Sequence, residues 1–93
     1  MGKYFVKLSP KAEDDLKRLK KSGRKSDINK VDAVFKELSE NPREGTGKPE
    51  QLKYYSSEVW SRRLNQKDRI VYQIQDFEIR VLVLNILGHY SDK

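Results

Sequence analysis

The chain has 93 residues, of which 37% are charged and 35% hydrophobic, so a single domain over residues 1–93 with a modest core and a largely ionic surface is expected. It has no cysteine and one histidine, which excludes a disulfide framework, a thiolate metal site and a polyhistidine zinc site. The formal charge of +6 points to a polyanionic partner or to a merely well-solvated surface. The excess is uneven: residues 1–40 hold 11 of the 20 basic residues against 7 of the 14 acids.

The longest apolar run, Val81 to Leu87, is interrupted by Asn85 and is too short to span a bilayer. The N-terminus lacks the apolar core of a signal peptide, so the expected location is cytoplasmic, with no membrane partner.

In chain order, Lys3 to Leu8 reads as a strand, with Tyr4, Val6 and Leu8 on one side and Phe5 on the other. Ser9-Pro10 starts a helix, with a hydroxyl at the cap and proline at the first helical position. Glu13, Asp14 and Asp15 suit the early part of that helix, where its dipole favours negative charge. Ala12, Leu16 and Leu19 form its apolar stripe, and Gly23 is a natural stop.

Ser26-Asp27 is expected to cap a second helix, whose face is Ile28, Val31, Val34, Phe35 and Leu38. The short link between the helices implies an antiparallel pair. Asn41-Pro42 ends the second helix and opens a loop to residue 49. Its two glycines lack the spacing of a P-loop and suit a simple connection better.

Glu50 to Tyr55 and Val59 to Leu64 read as strands. Asn65 to Asp68 turns the chain into a strand from Arg69 to Ile74, and Asp76-Phe77 makes a second turn. Glu78 to Leu87 is the most apolar strand, so a central place in the sheet is expected for it. The order is that of an α+β domain, with both helices on one face of a mainly antiparallel sheet.

Three arginines, Arg62, Arg63 and Arg69, fall on the central hairpin. A sheet buried on one face would present those on the other face to solvent, where guanidinium groups suit phosphate. For Arg62, an internal salt bridge or a solvated position is at least as good a reading. His89 is the one side chain whose ordinary pKa suits acid–base work near neutrality. Glu50, Arg69 and His89 would together suffice for RNA cleavage. The 2′-hydroxyl supplies the nucleophile, a carboxylate takes its proton, a histidinium protonates the leaving oxygen, and arginine neutralises the phosphate. Each residue also has a plain structural or solvated reading.

Four ordered blocks carry a resemblance: residues 45–53 (Gly-Thr-Gly-Lys-Pro-Glu-Gln-Leu-Lys), 60–63 (Trp-Ser-Arg-Arg), 68–72 (Asp-Arg-Ile-Val-Tyr) and the pair His89-Tyr90. Together they resemble the YoeB/Txe group of RelE-type toxins, from type II toxin–antitoxin systems. The resemblance implies a RelE-like fold and a ribosome-dependent endoribonuclease that cuts mRNA in the A site without metal or cofactor. It implies Glu50 as general base, His89 as general acid, Arg69 as the arginine on the reacting phosphate, and Tyr90 as a residue shaping the site. Lys53 and Arg63 match RNA-binding positions.

The implied partners are mRNA, the 70S ribosome with its ribosomal RNA, and an acidic YefM/Axe-like antitoxin; a homodimer is also implied. Lys17, Arg18, Lys20, Lys21, Arg24 and Lys25 would dock on ribosomal RNA or form a solvated helix end. Gly88 departs from the group's usual bulky aromatic, and three residues follow Tyr90. The rival readings are a non-catalytic ribosome-binding module of the same fold, and a gyrase poison. The latter has no need of an acid–base pair.

Overall fold

A computed structural model of the chain describes residues 3–53 and 55–88. The first strand, β1 (Phe5–Leu8), leads into α1 (Pro10–Ser22). The expected facing holds: Tyr4, Val6 and Leu8 pack on the main core and Phe5 is exposed. Ser9 is the cap, its Oγ accepting from the Ala12 N–H at 3.1 Å and donating to the Leu84 carbonyl at 3.1 Å. One hydroxyl therefore starts the helix and ties it to the last strand.

The second helix, α2 (Lys25–Glu40), follows a two-residue turn and begins before the expected Ser26-Asp27 cap. Arg24 occupies the cap position without a side-chain bond to the helix. Asp27 is drawn instead into tertiary contacts, accepting from Asn65 Nδ2 at 3.0 Å and pairing with Arg24. Val31, Val34 and Leu38 are fully buried, as their spacing predicts.

The remaining strands are β2 (Glu50–Gln51), β3 (Val59–Arg63), β4 (Arg69–Gln75) and β5 (Arg80–Asn85). The described residues form one sheet in the order β1-β5-β4-β3-β2, with only the β1–β5 pair parallel. Of the expected strand over residues 50–55, only Glu50–Gln51 are strand among the described residues, and Tyr54 lies outside them. Beyond Gln51, Leu52 still donates its N–H to the Val59 carbonyl at 2.8 Å, but its side chain turns into a small cluster with Val59 and Val71.

As its apolar character predicts, β5 lies inside the sheet, covered on its outer edge by β1, and β4 is the middle strand of the five. Ile70 and Tyr72 join the main core with the helices, while Val71 is buried on the opposite face. The strand is therefore buried on both faces. Asn65 to Asp68 turns as expected: Asn65 Oδ1 accepts from the N–H groups of Lys67 and Asp68 at 2.9 and 2.7 Å.

Arg62 points to the helix side and is completely buried. Its Nη1 donates to Glu37 Oε1 at 2.6 Å, Nε to the Tyr72 hydroxyl at 3.0 Å, and Nη2 to the Glu44 carbonyl at 2.7 Å. Longer contacts reach the carbonyls of Asn41, Pro42 and Thr46. Of the two readings the sequence allowed, the internal salt bridge is the one adopted. Truncation would leave a carboxylate and several carbonyls without their donor. Arg62→Ala is therefore expected to destabilise the fold by about 3–5 kcal/mol in urea unfolding, and an effect below about 1 kcal/mol would contradict this role.

Candidate functional site

The Arg62 network shapes the loop that delivers Glu50. Glu37 accepts from the Thr46 N–H at 2.8 Å and its hydroxyl at 2.7 Å while holding Arg62. Burial raises the Glu37 pKa, but the Thr46 and Arg62 bonds outweigh it and leave the carboxyl below its ordinary value. The Gly47 carbonyl then accepts from the Arg63 N–H at 2.8 Å, where the incoming chain meets β3. A Cβ at Gly47 would lie 2.8 Å from the Arg63 carbonyl oxygen, and φ there is +86°, so glycine serves close approach.

Three residues later Glu50 pairs with Ser61, and Ser61 with Val71, in a row across the sheet. Val71 is on the face away from the helices, and the pleat places Glu50, Ser61 and Val71 together there. Glu50 is exposed. The next row on that face is Arg63 opposite Arg69. Neither guanidinium has a hydrogen bond or ion pair among the described residues. Like charges directly opposite each other on a sheet repel, and an anion between them removes that cost. Strand spacing puts the Cα atoms of Glu50 and Arg69 on the order of 12 Å apart, within reach of two long side chains converging on one group. Lys53 is exposed in the turn after β2.

Arg69 is held through its main chain by the end of β5. Its N–H donates to the Gly88 carbonyl at 3.0 Å, and its carbonyl accepts from Asn85 Nδ2 at 2.9 Å. A register irregularity between Val71 and Tyr72, opposite Asn85 and Val83, leaves Leu84 as an extra residue and re-aims the chain. Buried carboxylates catch the amides that follow. Asp15 Oδ2 accepts from Ile86 and Leu87, both at 3.1 Å, and Asp68 Oδ1 accepts from Gly88 at 2.9 Å. Burial pushes the Asp15 pKa up, yet the bonds from Lys11, the two amides and Arg18 outweigh it and hold the carboxyl below its usual range. Gly88 has φ +109°, which suits glycine and not the bulky aromatic of the group. His89 and Tyr90 lie outside the described residues.

The structure brings Glu50, Arg63 and Arg69 to one face of the sheet, and the supports of that arrangement come from residues that the sequence does not mark for it. In the sequence, Asp15 shows only its fit to the helix dipole, and Asp68 only its place in the turn and in the 68–72 block. A usable signal was Asn85, since an amide inside an apolar run needs buried partners. Beside Gly88 lies a cleft of about 340 Å³ lined by Arg18, Arg24, Lys67, Asp68 and Leu87. Two of the expected docking cations, Arg18 and Arg24, are engaged there by Asp15, Asp27 and Asp68. At the far end of β4, Arg43 binds Glu58 through two bonds of 2.8 and 2.9 Å and Asp76 at 3.0 Å. The Arg43 contact lowers the Glu58 pKa and secures that corner of the sheet.

A two-helix layer behind a five-stranded, mainly antiparallel sheet is the fold of the RelE and YoeB toxins. The model of the YoeB-like toxin family of bacterial type II toxin–antitoxin systems matches residues 8–90. Toxin YoeB of Synechocystis sp. is 36% identical over 64 residues, covering 69% of this chain and 72% of that protein. The Staphylococcus aureus YoeB dimer superposes with a TM-score of 0.79 at 30% identity, covering 95% of this chain and 99% of that one. The S. aureus YoeB–YefM complex gives 0.76 at 31% identity, covering 94% and 98%. The chain belongs to the YoeB-like toxins.

Two outcomes follow from the supports. Gly47→Ala is expected to cost about 1–3 kcal/mol and to weaken the Arg63–Gly47 bond, seen as faster exchange of the Arg63 amide. Asp15 has a folded pKa below its unfolded value of about 4, so its contribution is complete above that value and is lost as pH falls through the folded one. The melting temperature is expected to fall as pH drops below about 4, and Asp15→Asn to show a smaller fall. An equal acid-induced fall in the variant would argue against this coupling.

Proposed function

We propose that this toxin is a ribosome-dependent endoribonuclease that cuts mRNA in the A site and so inhibits translation in the cytoplasm. The observation that carries the reading is the Arg63–Arg69 pair on the open sheet face, one row from Glu50 and bonded through Arg69 to Gly88. Two facing guanidinium groups with no anion among the described residues suit a phosphodiester.

In this mechanism Glu50 takes the proton of the 2′-hydroxyl, and the 2′-oxygen attacks the adjacent phosphorus in line. The bond to the 5′-oxygen breaks and His89 protonates that oxygen. Arg69 stabilises the charge gathered on the phosphate, and Tyr90 shapes the site. The products are a 2′,3′-cyclic phosphate or 3′-phosphate and a 5′-hydroxyl. Lys53 and Arg63 hold the flanking backbone. These side chains supply acid, base and charge without a metal.

The basic surface suits ribosomal RNA, and an acidic antitoxin segment would complement the same charge. A YefM-like antitoxin and a homodimer are the protein partners of this reading, by analogy with the S. aureus YoeB–YefM complex and YoeB dimer.

Primer extension on a translated message is the test. The wild-type protein is expected to create new ends within A-site codons, only with ribosomes present. Glu50→Ala, Arg69→Ala and His89→Gln are each expected to reduce cutting by at least about 100-fold while remaining folded. Stalled translation without any new end would favour the non-catalytic binding module, and full activity of folded His89→Gln would refute the assignment of the acid.

A further inference from the structure

Three consecutive amides, those of Ile86, Leu87 and Gly88, leave the β4–β5 ladder and end on two carboxylates from elsewhere in the chain. Asp15 comes from α1 and is 1% exposed; Asp68 comes from the turn before β4 and is 5% exposed. Amides that leave a sheet need an acceptor, and water or a neighbouring carbonyl would serve a merely structural end. A buried carboxylate is a stronger and more directional acceptor, and burying it carries its own cost.

The surroundings offset that cost. Lys11 Nζ donates to Asp15 Oδ2 at 2.7 Å and to the Leu87 carbonyl at 3.1 Å, while Arg18 donates to Asp15 Oδ1 at 3.2 Å. Asp68 Oδ2 accepts from Asn65 at 3.0 Å and faces Arg24 at 3.9 Å. The held segment in turn offers the Gly88 carbonyl to the Arg69 N–H, and Asn85, the residue just before it, donates its side-chain Nδ2 to the Arg69 carbonyl.

We infer that Asp15 and Asp68 are positioning residues: they fix residues 86–88 against Arg69, and so set where the chain delivers its single histidine relative to that guanidinium. This inference rests on the reaction proposed above. Neither carboxylate touches substrate in it. Both act through the backbone of 86–88, and misplacing a reacting group by about 1 Å costs orders of magnitude in rate.

The test uses full-length Asp15→Ala and Asp68→Ala, with Asp15→Asn carrying it should either alanine variant fail to fold. Asp14→Ala, exposed on the same helix, is the control. Two readouts are taken: the cutting rate over a series of ribosome concentrations, and the NMR spectrum, in which one histidine gives one unambiguous imidazole signal. Folded variants are expected to lose about tenfold or more in kcat with KM within about twofold of wild type. They are also expected to show a displaced imidazole signal and faster exchange of the Arg69 amide, with the control unchanged.

A wild-type kcat in folded variants, or a change confined to KM, would overturn the inference. Should the wild-type protein cut no message, the proposed function fails on its own. The spectra then decide the positioning: a displaced imidazole with a faster Arg69 amide supports it, and unchanged signals overturn it.

Discussion

A buried guanidinium without enough acceptors is untenable, and the fold meets that constraint at Arg62 by wrapping a loop around it. The backbone carbonyls of Asn41, Pro42, Glu44 and Thr46 turn inward to the guanidinium, and Glu37 balances its charge from α2. The Tyr72 hydroxyl accepts from Nε and donates its own O–H to the Pro42 carbonyl at 2.7 Å. Helix, loop and two strands are joined at one side chain. Because that loop runs directly into β2, the position of Glu50 on the open face depends on a cation that never reaches solvent.

The opposite end of the hairpin solves the inverse problem. There the stray groups are amides, and buried carboxylates collect them. The pattern is complementary: a cation gathers the carbonyls of the chain that leads into Glu50, and anions gather the amides of the chain that runs beside Arg69. Both devices lie behind the open face or beside it. That leaves Arg63 and Arg69 facing each other without internal partners among the described residues, so their guanidinium groups carry charge that the fold itself does not use.

Such an arrangement explains how a small domain devotes so much charge to structure while presenting a basic surface. Arg18, Arg24, Arg43 and Arg62 all have carboxylate partners. Net charge alone therefore overstates the number of free cations. The S. aureus relatives are known as a YoeB dimer and as a YoeB–YefM complex.

Local signals in the sequence determined a good part of this protein. The Ser9-Pro10 helix start, the Val31, Val34 and Leu38 stripe and the Asn65 turn all follow from contacts within a few residues. The four sequence blocks named the family and, through it, Glu50 and Arg69. Tertiary structure alone decided that β4 is central, that β1 joins β5 in parallel, and that β2 stops at Gln51. It also decided that Arg62 turns inward to Glu37, and that Asp15 serves Ile86, 71 residues away. The physical reason is range. Caps, turns and periodic stripes are satisfied by near neighbours, whereas a buried charge takes its partner from whichever distant segment folding brings beside it.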